Sequence, residues 1–348
     1  MHFFKNFFIA FLFTFIASFT TVAYAEEVDD PYFFRDYELH TLLQQAMPYV
    51  DEIVELRDYI YWRIISGNYH YAAFYCELTE SAEKIVFGKN YLDENLTELT
   101  AKLYLMADEP DEAEKKIKSL LANASDNLVK VRALNLQSDL LNRRANYGEA
   151  LKITEEAEKL LKSNFDEKLS LINQARIAKA YCGLNEPQKS LAIAENLFPQ
   201  MQVAFGNAGI ETLSLMSTLA EDYLKTKRYE DSRKILDDKL QLINNHYKKN
   251  SVISSKSFLE FTEFYFITGD KQRGEERLNT ILETTEQISP DSSLQAYQIY
   301  QALNKTAVKY LDANNPVVLK SELGLIKIRS LIGDIPQSIE RCKKICPN

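Results

Sequence analysis

Three histidines lie beyond the first few residues of this chain, His40, His70 and His246, and they are where acid–base chemistry would be sought first. A general base must sit within hydrogen-bond reach of the proton it takes, beside a nucleophile or a bound metal. None of the three belongs to a paired-histidine zinc pattern. No Cys-x-x-Cys, nucleophile elbow or glycine-rich phosphate loop occurs in the 348 residues. His70 is expected in solvent at a turn, and His246, beside Asn245 at a helix end, suits the negative pole of a helix dipole. Carboxylates are abundant, but neighbours such as Glu155-Glu156 and Glu275-Glu276 point to different sides of a helix. An acid pair assembled between distant segments would leave no local signature. Cys342 and Cys346 are close enough for a local bridge if the last turn frays. Cys76 and Cys182 fall where core residues belong and are expected as buried thiols. The chemistry-bearing residues therefore point to no enzyme, no cofactor and no metal.

Composition narrows the elements that carry these residues. Hydrophobic residues make up 46% of the chain, ample for a core, while 10 Gly and 9 Pro are too few for a turn-rich β protein of this length. Helix is the expected state. His2 and Lys5 precede an apolar run from Phe7 to Val22, and Ala23-Tyr24-Ala25 supplies the small-x-small pattern of a signal peptidase site. Residues 1–25 read as a cleaved signal peptide; the competing reading, an uncleaved anchor, has a run shorter than the roughly 20 residues a membrane-spanning helix needs. Glu26 rather than Cys would follow the cut, which argues against a lipid anchor. Cleavage leaves 40 basic against 50 acidic residues, a net charge of −10. Such a chain lacks the basic stripes that nucleic acid requires and is weakly repelled by anionic lipid. It is expected to be exported, periplasmic or secreted, with no stable membrane anchor. Asn95-Leu96-Thr97, Asn123-Ala124-Ser125 and Asn304-Lys305-Thr306 match the glycosylation pattern and are assigned no role.

A period organises the rest. Short polar turns at Gly67-Asn68-Tyr69, Glu109-Pro110-Asp111, Asn146-Tyr147-Gly148, Asn185-Glu186-Pro187, Arg228-Tyr229-Glu230 and Gly269-Asp270-Lys271 are followed by Ala72, Ala113, Ala150, Ser190, Ser232 and Gly274. The steps between those small residues are 41, 37, 40, 42 and 42. A near-constant period of this length marks stacked helix pairs. The expected pairs are 51–66 with 69–86, 94–107 with 110–122, 129–143 with 147–163, 168–182 with 186–203, 209–226 with 229–247, and 253–268 with 271–288. Short connections make neighbours antiparallel. The expected organisation is a helical lead-in over 26–50, a repeat array over 51–289, and an irregular C-terminal part over 290–348. That last part holds one inserted helix at 292–311 and a final hairpin at about 317–332 and 335–346. It would cap the open end of the array or form a dimer interface; the oligomeric state is not legible.

These residues resemble tetratricopeptide repeats, in the long variety of about 42 residues. Ala101 with Tyr104, Ala178 with Tyr181 and Ala220 with Tyr223 match the family's small residue and tyrosine in the first helix. Tyr69, Tyr147 and Tyr229 match the turn, and Ala72, Ala113 and Ala150 the small residue that follows. The chain departs from the pattern at Ser190, Ser232 and Gly274, and at Arg63 where the first tyrosine would stand. The resemblance implies an all-α fold, a right-handed superhelical solenoid of antiparallel helix hairpins, whose concave groove holds a peptide or helix of a partner protein. Matching the family's groove-facing stripe gives Lys102, Arg132, Asn135, Asp139, Arg176 and Lys179 as partner-binding residues. Their cations would grip a carboxylate. The plainer reading of the same charges is a solvated face. Leu136 and Ile172 stand where the chaperone-tail clamp of this family needs polar residues, so that activity is not expected. Leu105 and Phe266 would serve as apolar anchors. The resulting expectation is an exported, non-catalytic adaptor for a protein or peptide, with a ligand- or peptide-sensing helical domain of a signalling system as the alternative, and an enzyme of unrecognised type as a third reading.

Overall fold

A computed structural model describes residues 50–65, 67–87, 90–249, 251–288 and 293–331. The expected signal peptide, nearly all of the lead-in and the helix expected at 335–346, with Cys342 and Cys346, lie outside the described residues. Among the described residues every regular element is a helix. The first hairpins are α1 (Val50–Ile65) with α2 (Tyr69–Phe87), α3 (Glu94–Met106) with α4 (Pro110–Asn123), and α5 (Asn127–Arg143) with α6 (Tyr147–Ser163). They are followed by α7 (Glu167–Gly183) with α8 (Pro187–Phe205), α9 (Ile210–Lys225) with α10 (Tyr229–His246), and α11 (Val252–Thr268) with α12 (Lys271–Glu286). The last two are α13 (Ser293–Tyr310) and α14 (Pro316–Leu331). The fold is all-α, a stack of helix hairpins: α5 packs on α6 and also on α7, and α11 on α12 and also on α13.

The period has a backbone cause. Gly67, Asp108, Ala145, Asn185, Lys227 and Gly269 all have positive φ, between 57° and 92°. In each case the next N–H reaches back five residues, to the carbonyls of Arg63, Tyr104, Leu141, Tyr181, Tyr223 and Tyr265, at 2.8–2.9 Å. This is the left-handed closure that satisfies the last carbonyls of a helix. The carbonyl of the following residue then accepts from the small residue that opens the second helix, as with Asn146 and Ala150 at 3.0 Å. One turn geometry is thus used six times. At four of these positions a side chain occupies a conformation that costs a non-glycine residue about 1–2 kcal/mol. Replacing Lys227 by glycine should relieve that cost while adding about 0.5–1 kcal/mol of unfolded-chain entropy, a net gain of about 0.5–1 kcal/mol in urea unfolding. A Lys227→Gly chain less stable than the parent would contradict this account of the turn.

The small residues sit where helices cross. Ala72, Ala113, Ala150 and Ala178 are completely buried. The departures from alanine have specific partners. Ser190 Oγ donates to the Ala178 carbonyl at 2.7 Å, and Ser232 Oγ to the Ala220 carbonyl at 2.9 Å, so each hydroxyl joins the two helices of its hairpin. Gly274 faces the ring of Phe266, 2.8 Å from where a β-carbon would stand. That ring stacks on Tyr310 with 4.7 Å between centroids and cannot easily give way.

First helices start on side-chain caps: Asp126 accepts from Val129 N, Asp166 from Leu169 N and Ser251 from Ser254 N. Asp93 caps α3 by accepting from the N–H groups of Asn95 and Leu96, at 3.0 and 3.1 Å. Its second oxygen accepts from Arg57 at 3.2 Å, and the same Arg57 nitrogen donates to Glu83 at 2.6 Å. Glu83 is buried, and its other oxygen has no hydrogen-bond partner. Burial pushes its carboxyl up to about 7, with Asp93 and Glu80 adding to the rise and Arg57 only partly opposing it.

The described residues divide into two compact units. The first holds α1 through Ile60, Ala73–Leu105 and Glu109–Thr218; the second holds Tyr61–Ala72, Met106–Asp108 and the residues from Leu219 onward. Within the first, Val131, Leu134, Ala157 and Leu161 form the seam of α5 and α6. Within the second, Ala220, Leu236, Phe261, Phe264 and Tyr265 form the corresponding seam of α9, α10 and α11. The second unit also contains contacts that a chain of nearest neighbours would lack. Gly67 lies against Ser251, Lys256 Nζ donates to the Met106 carbonyl at 3.4 Å, and Gln298 Nε2 to the Ala107 carbonyl at 3.2 Å, across 191 residues of sequence.

Candidate partner-binding face

Ala101, Ser138 and Ala178 hold one register on α3, α5 and α7, so residues at equal offsets from them line up across the first unit. One residue further on stand Lys102, Asp139 and Lys179, alternating in sign. Asp139 accepts from Arg176 Nη2 at 2.7 Å and Nε at 3.1 Å, and Arg176 Nη1 also donates to Glu211. Burial alone would raise the Asp139 carboxyl; Arg176 with Lys179 more than offsets it and holds that carboxyl below the usual carboxylate range. Burial would lower the Arg176 guanidinium, but Asp139 and Glu211 raise it well above its ordinary value.

A second network ties α3 to α5. Arg132 Nη1 donates to Asn95 Oδ1 at 2.9 Å and lies 3.2 Å from Glu98, whose other oxygen lies 2.6 Å from Lys102 Nζ. Burial pushes Glu98 up, and Lys102 and Arg132 together bring it below its ordinary value. The expected partner-binding residues therefore come together on one face, as Arg132 with Lys102 and as Asp139 with Arg176 and Lys179. Their acidic counterparts Glu98 and Glu211, and the acceptor Asn95, were not among the expected residues. The i,i+4 spacing of Glu98 and Lys102 on one helix is the signal that could have found Glu98. The cations lie beside acids of their own chain, so a free grip on a foreign carboxylate is not what they present.

Asn135 differs. It lies between the two networks on α5, three residues after Arg132 and four before Asp139, and is 4% exposed. Neither its amide nitrogen nor its amide oxygen has a hydrogen-bond partner. Seven residues on, Asn142 is in the same state at 5% exposure, at a register where α3 and α7 carry Leu105 and Cys182. An unpaired buried amide costs about 1–3 kcal/mol.

Other expectations need correction. Leu105 and Phe266 are buried, at 4% and 7% exposure, so neither is available as an anchor. His70 is half-buried in the first turn of α2, edge-on to Tyr71, rather than in solvent. Cys76 and Cys182 are, as expected, buried thiols that form no disulfide, and burial pushes the Cys76 thiol up to about 12. Among the described residues, no helix is long and apolar enough to cross a membrane.

No family profile matches the chain, and none of the curated proteins matches it. Solved structures of TPR-like repeat proteins do. One is a putative kinesin light chain of Podosopora anserina, at 13% identity, covering 62% of this chain and 92% of that one, with a TM-score of 0.37. Another is BtubC from P. vanneervenii, at 14% identity, covering 70% and 95%, with a TM-score of 0.42. A third is a signal-transduction ATPase with a tetratricopeptide repeat sensor from Pyrococcus horikoshii, at 15% identity, covering 92% of this chain and 53% of that one, with a TM-score of 0.47. At these scores the likeness carries no argument about activity, and the hairpin and turn geometry above stands by itself.

Proposed function

We propose that this chain is an exported, periplasmic or secreted, non-catalytic adaptor that takes an extended peptide segment of a partner protein along the face of α3, α5 and α7. The observation that carries this reading is the Asn135 amide, buried and unsatisfied between two ion-pair networks. A side-chain amide offers one donor and one acceptor side by side, the complement of a peptide unit in an extended chain. The flanking pairs hold α5 in place against α3 and α7, so little order would be lost on docking. The charges would then set orientation through the rim of the face rather than clamp a terminus.

The test uses a displayed library of random heptapeptides and the Asn135→Leu variant. The parent chain is expected to enrich a defined set. Replacing the matched backbone amide of a selected peptide by an ester should weaken it about tenfold, and Asn135→Leu should weaken it similarly, the worth of about one hydrogen bond to a group otherwise left unpaired. Leucine removes the orphaned amide, so the variant should unfold no earlier in urea than the parent. Loss of peptide binding without loss of stability supports the reading. Enrichment of nothing by the parent, or equal binding by the variant, would sink it.

A further inference from the structure

We infer that the cavity between α6, α7 and α8 is a second binding site, separate from the face of Asn135, for an aromatic group carrying one N–H donor, of the indole type. The cavity has a volume of about 330 Å³, at the small end of the roughly 300–1,000 Å³ that ligand sites occupy. Its apolar wall is Leu161, Phe165, Ile177 and Ile193. Phe165, in the connection between α6 and α7, is 76% exposed, a large ring left in water at the edge of this space.

Asn173 supplies the polar group. It lines the cavity and is 1% exposed. Its amide nitrogen donates to the Thr154 carbonyl at 3.0 Å, which fixes the orientation of the amide, because the flipped form would set two oxygens against each other. The remaining atom, Oδ1, is an acceptor with no partner. Ser170 and Gln174 complete the lining, and among its polar side chains only Asn173 carries a buried atom without a partner, which asks for a flat apolar body with a single donor. The charges at the rim, Glu158 and Lys162, lie 3.8 Å apart and offset each other, so they call for neither a cation nor an anion.

Indole and 1-methylindole differ by that one N–H and serve as the probes, followed by amide NMR shifts of the whole chain. Indole is expected to shift the amides of residues 158–177, and 1-methylindole to bind at least tenfold more weakly. The Ile193→Trp variant, which fills the cavity from α8, should lose the indole response. N-acetyl-tryptophanamide separates the sources of the same group: binding as tight as indole assigns a tryptophan side chain of a peptide, and weaker binding a free small molecule. Equal affinity for the two indoles, no shifts with either, or a response that survives in folded Ile193→Trp would overturn the inference. If that variant does not fold, the two probes on the parent chain still decide.

Discussion

Replacing Arg176 by methionine should destabilise the protein by about 3–5 kcal/mol, the cost of leaving buried carboxylates without their cation. The guanidinium is 8% exposed and serves two acids on different helices, Asp139 of α5 and Glu211 of α9. Methionine keeps most of the volume, so the loss is electrostatic rather than a cavity. The effect should depend on pH with a definite sign. In the parent, the lowered carboxyl of Asp139 contributes stability that is present above its unfolded value and fades as pH falls through its folded one. In the variant that carboxyl is no longer held down, so the difference between the two chains should shrink toward pH 4. A triple variant, Asp139→Asn with Arg176→Met and Glu211→Gln, should recover most of the loss, since a neutral set has no charge to strand. Urea unfolding at pH 7.5 and pH 4 decides it: a single variant within 1 kcal/mol of the parent at pH 7.5 would mean that the buried cluster adds nothing net.

The second large effect runs the other way. Glu83 has its folded carboxyl pushed up to about 7 by burial, against an unfolded value near 4.3. Between those values the folded state holds the proton more tightly than the unfolded chain, so this group's contribution to stability is fully present below about pH 4.3 and falls as pH rises through 7. The total is about 4 kcal/mol, from the size of that difference at 1.36 kcal/mol per unit. Glu83→Gln should remove this slope and be more stable than the parent above pH 7.5, with Arg57 still held by Asp93. Asp139 and Glu98 act in the opposite direction only at lower pH, because their carboxyls are held below the usual range. Parallel stability profiles for parent and variant between pH 5 and 8 would show that Glu83 is not charged against its environment.

The hairpins were legible because their causes are local. Each turn needs one left-handed residue and a small residue five later, and those requirements recur in sequence whatever surrounds them. Among the described residues, the fourteen helices lie within about two residues of the expected bounds. The serines at 190 and 232 looked like departures and are instead cross-helix hydrogen bonds, a distinction that needs the position of the facing carbonyl. The candidate site was legible by address but not by state. The resemblance to tetratricopeptide repeats implied Arg132, Asn135, Asp139 and Arg176 as one face, yet it gave no sign that Glu211, 35 residues from Arg176, closes on it. Nor could it show which polar residues are satisfied, since Asn95 and Asn135 are the same side chain, one bonded to Arg132 and the other to nothing. Contacts such as Gln298 with Ala107 lie outside any local pattern, because a repeat specifies only its neighbours.

The six identical turns have an evolutionary corollary. Their closing bonds are made by the main chain, and the left-handed position is filled in turn by Gly, Asp, Ala, Asn, Lys and Gly. Hairpin joints of this kind accept mutation at the tip without losing their angle. Selection can therefore rewrite the loops, or duplicate a whole hairpin in frame, and inherit a working joint each time.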